Sequence, residues 1–345
     1  MNLKKSSLAV AVTGAIALAA AGQASASVYG GSKLDLQNLQ ILITEDGVNP
    51  SPNAPITSFE FTATNTATLN GVSSPVQSAD CGGTPGSPGV GTNDCNAALP
   101  RLDPTAANAP GGTINRANND FSLFGPGLNQ YANSDSVIQQ AELTFDGPTQ
   151  THQIAETELQ TGASARANAE ITSNTGFSFA FTLATPGELI LSFEADPYLR
   201  AVINQGSNFV NGNAQANINF TVSLTNNNTG DSITWSPQGT AAFNDCSVDG
   251  GLVGVACSET ADGQDLNRNL SVTSNPSDVQ HSTAVGFSAF GIDITGLTAG
   301  AYTFALNAVT STSVRQTVPE PATLALLGVG LIGIGAAKRR DSKRA

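Results

Sequence analysis

The strictest constraint on this chain is a two-residue beat. From Ala214 to Leu224 apolar side chains take every second position (Ala214, Ala216, Ile218, Phe220, Val222, Leu224), with Gln215, Asn217, Asn219, Thr221 and Ser223 between them. Successive side chains of a strand point to opposite faces, so this segment buries one face and wets the other. Asn226-Asn227-Asn228-Thr229-Gly230-Asp231 then supplies turn chemistry, and Ile233 with Trp235 begins a return strand, so residues 213–236 read as a hairpin.

The beat recurs along the chain. Phe177, Phe179, Phe181 and Leu183 alternate with Ser178, Ala180 and Thr182, and Thr185-Pro186-Gly187 turns the chain into a strand over 188–195. Ala163, Ala165, Ala167, Ala169 and Ile171 keep period two despite an alanine content that suits a helix. Residues 34–44, 56–69, 137–145, 287–294 and 301–309 read as further strands, and Thr310–Thr317 as a polar Ser/Thr tether behind the last of them. Residues 73–119 are rich in Gly, Pro, Asn and Ala and read as one long loop. No window between the two ends of the chain offers three turns of a 3.6-residue pattern. The expectation is an all-β body of about 290 residues: an antiparallel β-sandwich, jelly-roll-like, with two smaller sandwiches divided near residue 150 as the alternative.

The chain ends read differently. Lys4 and Lys5 precede an uncharged run from Ser6 to Gly22 and a small-x-small site, Ala24-Ser25-Ala26, which is the pattern of a secretory signal peptide over 1–26. At the other end Val318-Pro319-Glu320-Pro321 is followed by an apolar, uncharged stretch, 322–337, and by Lys338, Arg339, Arg340, Lys343 and Arg344. As a helix the stretch spans about 22 Å against a hydrocarbon core of roughly 30 Å, so it enters a membrane but anchors poorly. The basic end stays cytoplasmic, which places the body on the far side. Without these segments the body, 27–317, holds seven Lys/Arg against 25 Asp/Glu, a net charge of −18. Such a surface argues against nucleic acid and anionic lipid as partners, because phosphates are held by clustered Lys/Arg.

Triplet, apolar helix and Arg-rich end, in that order over 318–345, resemble the PEP-CTERM sorting signal of Gram-negative bacteria. The resemblance implies recognition at Pro319, Glu320 and Pro321 by an exosortase, an integral-membrane cysteine transpeptidase, with only transient membrane residence and release to the cell surface or outside. Family members often accompany extracellular-polysaccharide loci, which implies a structural or adhesive role in biofilm matrix and a polysaccharide as partner. The resemblance stops at residue 318 and says nothing of the body.

Within the body, Cys81 with Cys95 and Cys246 with Cys257 are the natural local disulfides of an exported chain; zinc fails on spacing, since no C-x-x-C occurs. A hydrolytic triad needs a histidine, and only His152, expected in a loop, and His281, expected at the start of a strand, are present; no G-x-S-x-G elbow surrounds any serine. Glu156 with Glu158, and Glu194 with Asp196, each place two carboxylates on one strand face about 7 Å apart, a catalytic spacing that also arises on any solvated acidic strand. Asp245, Asp249, Asp262 and Asp265 surround the second cysteine loop and offer oxygen ligands for calcium, against the alternative of an acidic flexible loop. Tyr131, Tyr198 and Trp235 are the few aromatic candidates for sugar stacking, Trp235 more naturally a core residue. The body is therefore expected to be non-enzymatic, with a polysaccharide-binding module or a weak glycan-active enzyme as the alternative.

Overall fold

A computed structural model describes residues 27–47, 56–83, 101–128, 130–139, 149–160, 166–204, 211–239, 244–273, 275–282 and 286–317. In chain order its strands are β1 (Ser27–Glu45), β2 (Ile56–Leu69), β3 (Val72–Ser73), β4 (Gln77–Gly83), β5 (Arg101–Leu102) and β6 (Ala107–Asn108). There follow β7 (Tyr131–Gln139), β8 (Thr149–Gln160), β9 (Arg166–Leu183), β10 (Gly187–Asn204), β11 (Asn211–Asn226) and β12 (Ser232–Trp235). The last six are β13 (Cys246–Val248), β14 (Ala256–Asp262), β15 (Asn269–Thr273), β16 (Ser277–Ser282), β17 (Ser288–Leu297) and β18 (Gly300–Thr317).

They form two antiparallel sheets. The first runs β14-β17-β10-β1-β8-β7-β5, with β16 beside β10 and β6 beside β7; the second runs β13-β12-β11-β18-β9-β2-β3, with β15 beside β11 and β4 beside β2. The sheets face each other across one apolar cluster that draws on both. Period two decides which residues enter it. Phe177, Phe179 and Phe181 of β9 interleave with Phe304 and Tyr302 of β18 in a ladder of rings 4.9–5.6 Å apart, and Phe193, Phe220, Phe290 and Trp235 make a second aromatic group. Offset and tilted ring pairs of this kind add to the burial of their large apolar areas.

The first and last strands, β1 and β18, build the middle of the two sheets. β1 lies between β8 and β10, and β18 lies between β9 and β11, paired with β9 along its whole length and with β11 from Tyr302 to Thr317. Because β1 and β2 pair with strands beyond residue 150, the two halves of the chain interleave.

Several expectations are refined. The hairpin over 213–236 stands as β11 and β12. The segment 310–317 is no tether: Thr310, Thr312, Val314 and Gln316 are buried in β18, because a Ser/Thr-rich strand held on both sides satisfies its backbone within the sheet. The stretch 73–119 is not one loop, since its described residues include β4, β5 and β6; the two-residue β5 and β6 leave no periodic trace in sequence, and β4, over Gln77–Gly83, is held by pairing with β2 rather than by apolar alternation. Asn70 and Gly71, both at positive φ, turn β2 into β3, as a tight hairpin demands. The expected helix at 322–337 lies outside the described residues.

Candidate functional site

The outward face of the first sheet carries an unusual concentration of buried charge. Glu156 and Glu158 alternate on β8 and share that face with Tyr29 and Gly31 of β1 and Tyr131 and Asn133 of β7. Segment 109–128 crosses over them as a strap. Ala109 N and Thr113 N donate to the Ala132 and Gln130 carbonyls (3.0 and 2.8 Å) and hold its base. The carboxylates hold the rest. Glu156 accepts from Phe124 N (3.0 Å), Gly125 N (3.1 Å), the Tyr29 hydroxyl (2.6 Å) and the Arg116 guanidinium. Glu158 accepts from Gly127 N (2.8 Å) and Leu128 N (3.0 Å), and Asp135 from Asn119 N (2.7 Å). Arg116 also donates to the Asp120 and Ser122 carbonyls and lies 4.1 Å over the Phe124 ring. Its side chain and that of Glu156 are both fully buried.

Burial pushes the Glu158 carboxyl up, and that of Asp135 up to about 6. The same burial, with the Glu156 charge next, holds the Tyr29 and Tyr131 hydroxyls far above their ordinary range. Glu156 and Glu158 share one strand face, as their alternation implies, but their oxygens are engaged by the strap's own backbone. The solvated-face alternative fails too, since both side chains are buried. Nothing in the β8 alternation marked this, because the amides that bind the pair come from residues about thirty positions upstream.

A second group lies on the same face, beyond the strap. Asp35 accepts from Lys33 Nζ (2.7 Å) and His152 Nδ1 (2.9 Å). Asp196 stands directly opposite Asp35 in the β1–β10 register, and burial, then the Asp35 charge, raises its pKa. The His152 ring leans on Phe121 at 5.4 Å. His152 is therefore a strand residue, oriented by a carboxylate, and not in a loop; Gly147-Pro148 before it misled because the strand starts at the next residue. A carboxylate-oriented imidazole is half of a triad, but among the described residues no hydroxyl or thiol hydrogen-bonds to it. Of the second sequence pair, Glu194 accepts from Gln37 Nε2 (2.7 Å) and Asn38 Nδ2 (2.9 Å). His281 lies in β16, its pKa lowered by burial and by Arg268.

The third group lies at the edge of the sandwich. Cys246 on β13 and Cys257 on β14 form a disulfide that joins the last strand of one sheet to the last strand of the other. Cys81 is disulfide-bonded as well; its expected partner Cys95 lies outside the described residues, as do Pro319, Glu320 and Pro321. Beside the 246–257 bridge, carboxylate oxygens of Asp245, Glu259 and Asp262 lie within 4.8 Å of one another. Ligands around one calcium ion, each at about 2.3–2.6 Å, stand no more than about 5 Å apart, so the donors fit a hard cation. Gln238 N and Gly239 N donate to Asp245 and Asp262 (3.0 and 2.7 Å), and Trp235 Nε1 to Glu259 (2.7 Å).

Two of the four aspartates expected to hold calcium thus meet, while Asp249 binds the Ser232 hydroxyl and Asp265 caps Asn267 N. Glu259 was missed. An irregularity between Glu259 and Ala261 inserts one residue and turns Glu259 and Asp262, three apart, to the same side. Of the aromatic candidates, Trp235 is core, Tyr131 is buried with its hydroxyl on the Gly125 carbonyl (2.9 Å), and Tyr198 is half-buried on the outward face.

The family model of the PEP-CTERM protein-sorting motif matches residues 317–340. The match begins on the last residue of β18 and is confined to the C-terminal segment. No curated protein and no solved structure matches the chain. The motif marks the chain as exported, sorted by an exosortase and placed at the cell surface or outside a bacterial cell.

Proposed function

We propose that the body is a structural or adhesive component of the bacterial cell surface or extracellular matrix, without catalytic activity of its own, exported by a signal peptide over 1–26. The observation that carries this reading is the sorting motif set immediately behind a folded β-body whose best-placed carboxylate pair, Glu156 and Glu158, serves its own strap. Pro319 and Pro321 keep their backbone extended and unable to donate hydrogen bonds, which leaves the triplet outside the following helix and open to an enzyme. Replacing Glu320, or deleting 338–344, should leave the precursor in the membrane fraction. Release of a shortened protein from either variant would refute the assignment of these residues.

A polysaccharide partner is favoured by the outward face of the second sheet. There the rows Thr62–Gly176–Asn307–Thr221 and Thr64–Asn174–Val309–Asn219 cross four adjacent strands without a charge, although the body as a whole is strongly acidic. Neutral hydroxyl and amide ladders suit hydrogen bonding to sugar hydroxyls. Calcium at Asp245, Glu259 and Asp262 belongs to the same proposal, as a brace of the disulfide edge. Pull-down of the purified body on extracellular polysaccharide, with and without calcium, tests both: no retention in either condition rejects the partner, and released sugar products would reject the non-enzymatic reading.

A further inference from the structure

The last strand of the body runs straight into the sorting segment. β18 ends at Thr317, and the motif match begins on that residue. Only residues 318–321 precede the apolar stretch, so whatever holds the C-terminal end holds β18 by its last residue. An edge strand held in this way would peel from a single neighbour. β18 has two: all 18 of its residues are opposed by β9, and those from Tyr302 to Thr317 are opposed by β11 as well, both in an unbroken register.

The geometry of pulling decides how much of this pairing is loaded. Force entering at Thr317 acts along β18, whereas antiparallel hydrogen bonds lie perpendicular to the strands. If the neighbouring strands are held far from Thr317, the bonds of both ladders are strained together, in shear. If they are held beside Thr317, the bonds open one pair at a time from that end. The neutral rows of the proposed polysaccharide face, Thr62–Gly176–Asn307–Thr221 and Thr64–Asn174–Val309–Asn219, cross β2, β9, β18 and β11 at ten and eight residues before Thr317. That is about 27–34 Å from the point where the load enters. A glycan seated there holds the neighbours at a distance and puts the intervening ladders in shear.

Polar contacts across the core couple the two sheets. Ser32 Oγ donates to the Asn217 carbonyl (2.7 Å) and Ser134 Oγ to the Thr66 carbonyl (3.1 Å). Thr157 Oγ1 donates to Thr312 Oγ1 (3.2 Å) and Thr175 Oγ1 to Gln153 Oε1 (3.1 Å), all four side chains buried. Apolar side chains can slip past one another, but a hydrogen bond weakens steeply once its partners move out of line. These contacts therefore pin β18 and its neighbours to β1, β7 and β8 and pass load to the first sheet.

We propose that β18 is the load-bearing strand of a surface tether: tension between the held C-terminal end and a bound matrix polysaccharide enters the body along β18 and is resisted in shear by both of its ladders. The inference rests on the reading of the body as a structural or adhesive surface component. It also accounts for 310–317 being paired on both sides, since the residues nearest the load are the first that would peel.

The test stretches single full-length molecules in detergent between a handle at Ala345 and a second handle on an introduced cysteine, no free cysteine being present among the described residues. Thr229→Cys, exposed in the turn after β11, lies at the end away from Thr317 and loads β18 in shear. Asn213→Cys, on the outward face of β11 directly opposite Arg315, loads the same pair of strands by peeling. Forced unfolding follows the barrier to opening, so the rupture force from residue 229 should exceed that from 213 by about twofold or more. Equal forces, or a higher force from 213, overturn the tether while leaving the surface-component reading intact. Recovery of the processed protein free in the medium, bound neither to cells nor to matrix, overturns that reading, and the tether with it, even if the two forces differ.

Discussion

Removing the charge of Glu156 should cost more than any other single change on the outward face of the first sheet. The substitution Glu156→Gln leaves the Arg116 guanidinium buried without its counter-charge and deprives Phe124 N, Gly125 N or the Tyr29 hydroxyl of an acceptor. Breaking a buried, hydrogen-bonded ion pair from one side costs about 3–5 kcal/mol. For a body of about 290 residues the unfolding entropy is about 0.6 kcal/mol/K, so the midpoint should fall by roughly 5–8 °C if unfolding is two-state. Arg116→Met alone should cost a comparable amount, while the double variant should cost clearly less than the sum, because neither charge is then left alone. Differential scanning calorimetry measures the shifts, and limited trypsin digestion shows whether the strap opens in the Glu156→Gln protein, since Arg116 is shielded only while the strap is seated. Additive costs, or a shift under about 2 °C for the single variants, would refute the clamp as the strap's main attachment.

Other consequences follow from the same structure. The carboxyl of Asp135 is raised from 3.8 to about 6, so the folded state binds its proton more tightly than the unfolded chain; stability should fall as pH rises from about 4 to 6 and level off above, and Asp135→Asn should flatten that slope in midpoints measured across the range. Replacing Cys246 and Cys257 with serine opens a loop of 11-residue separation and should cost about 3 kcal/mol, read as a lowered denaturant midpoint with little change in slope. Gly31→Ala puts a Cβ 2.1 Å from the Tyr29 hydroxyl, which must leave Glu156; loss of stability comparable to that of Tyr29→Phe would support this, and an unperturbed midpoint would exclude it. Calcium titrated into the body by calorimetry should bind at one site that Asp262→Asn abolishes; identical isotherms for the two proteins would remove the cation from the edge.

The sequence by itself determined that this is a β-protein whose C-terminal segment carries a sorting motif. Alternation such as Phe177, Phe179, Phe181 or Ala214 to Leu224 is a local consequence of pleating, and the sorting motif is read by a partner as linear sequence, so both are legible without a fold. Their local character also limits them. Thr310–Thr317 looked like a tether because its composition is polar, and only the strands on either side of β18 make it core.

The site residues were decided by tertiary structure. Glu156 and Glu158 are a solvated pair, a catalytic pair or a structural clamp according to what lies above them, and that is a strap supplied from about thirty residues away. His152 gained its carboxylate from β1, 117 positions earlier in the chain, and Glu259 joined Asp262 through an inserted residue that a strict period hides.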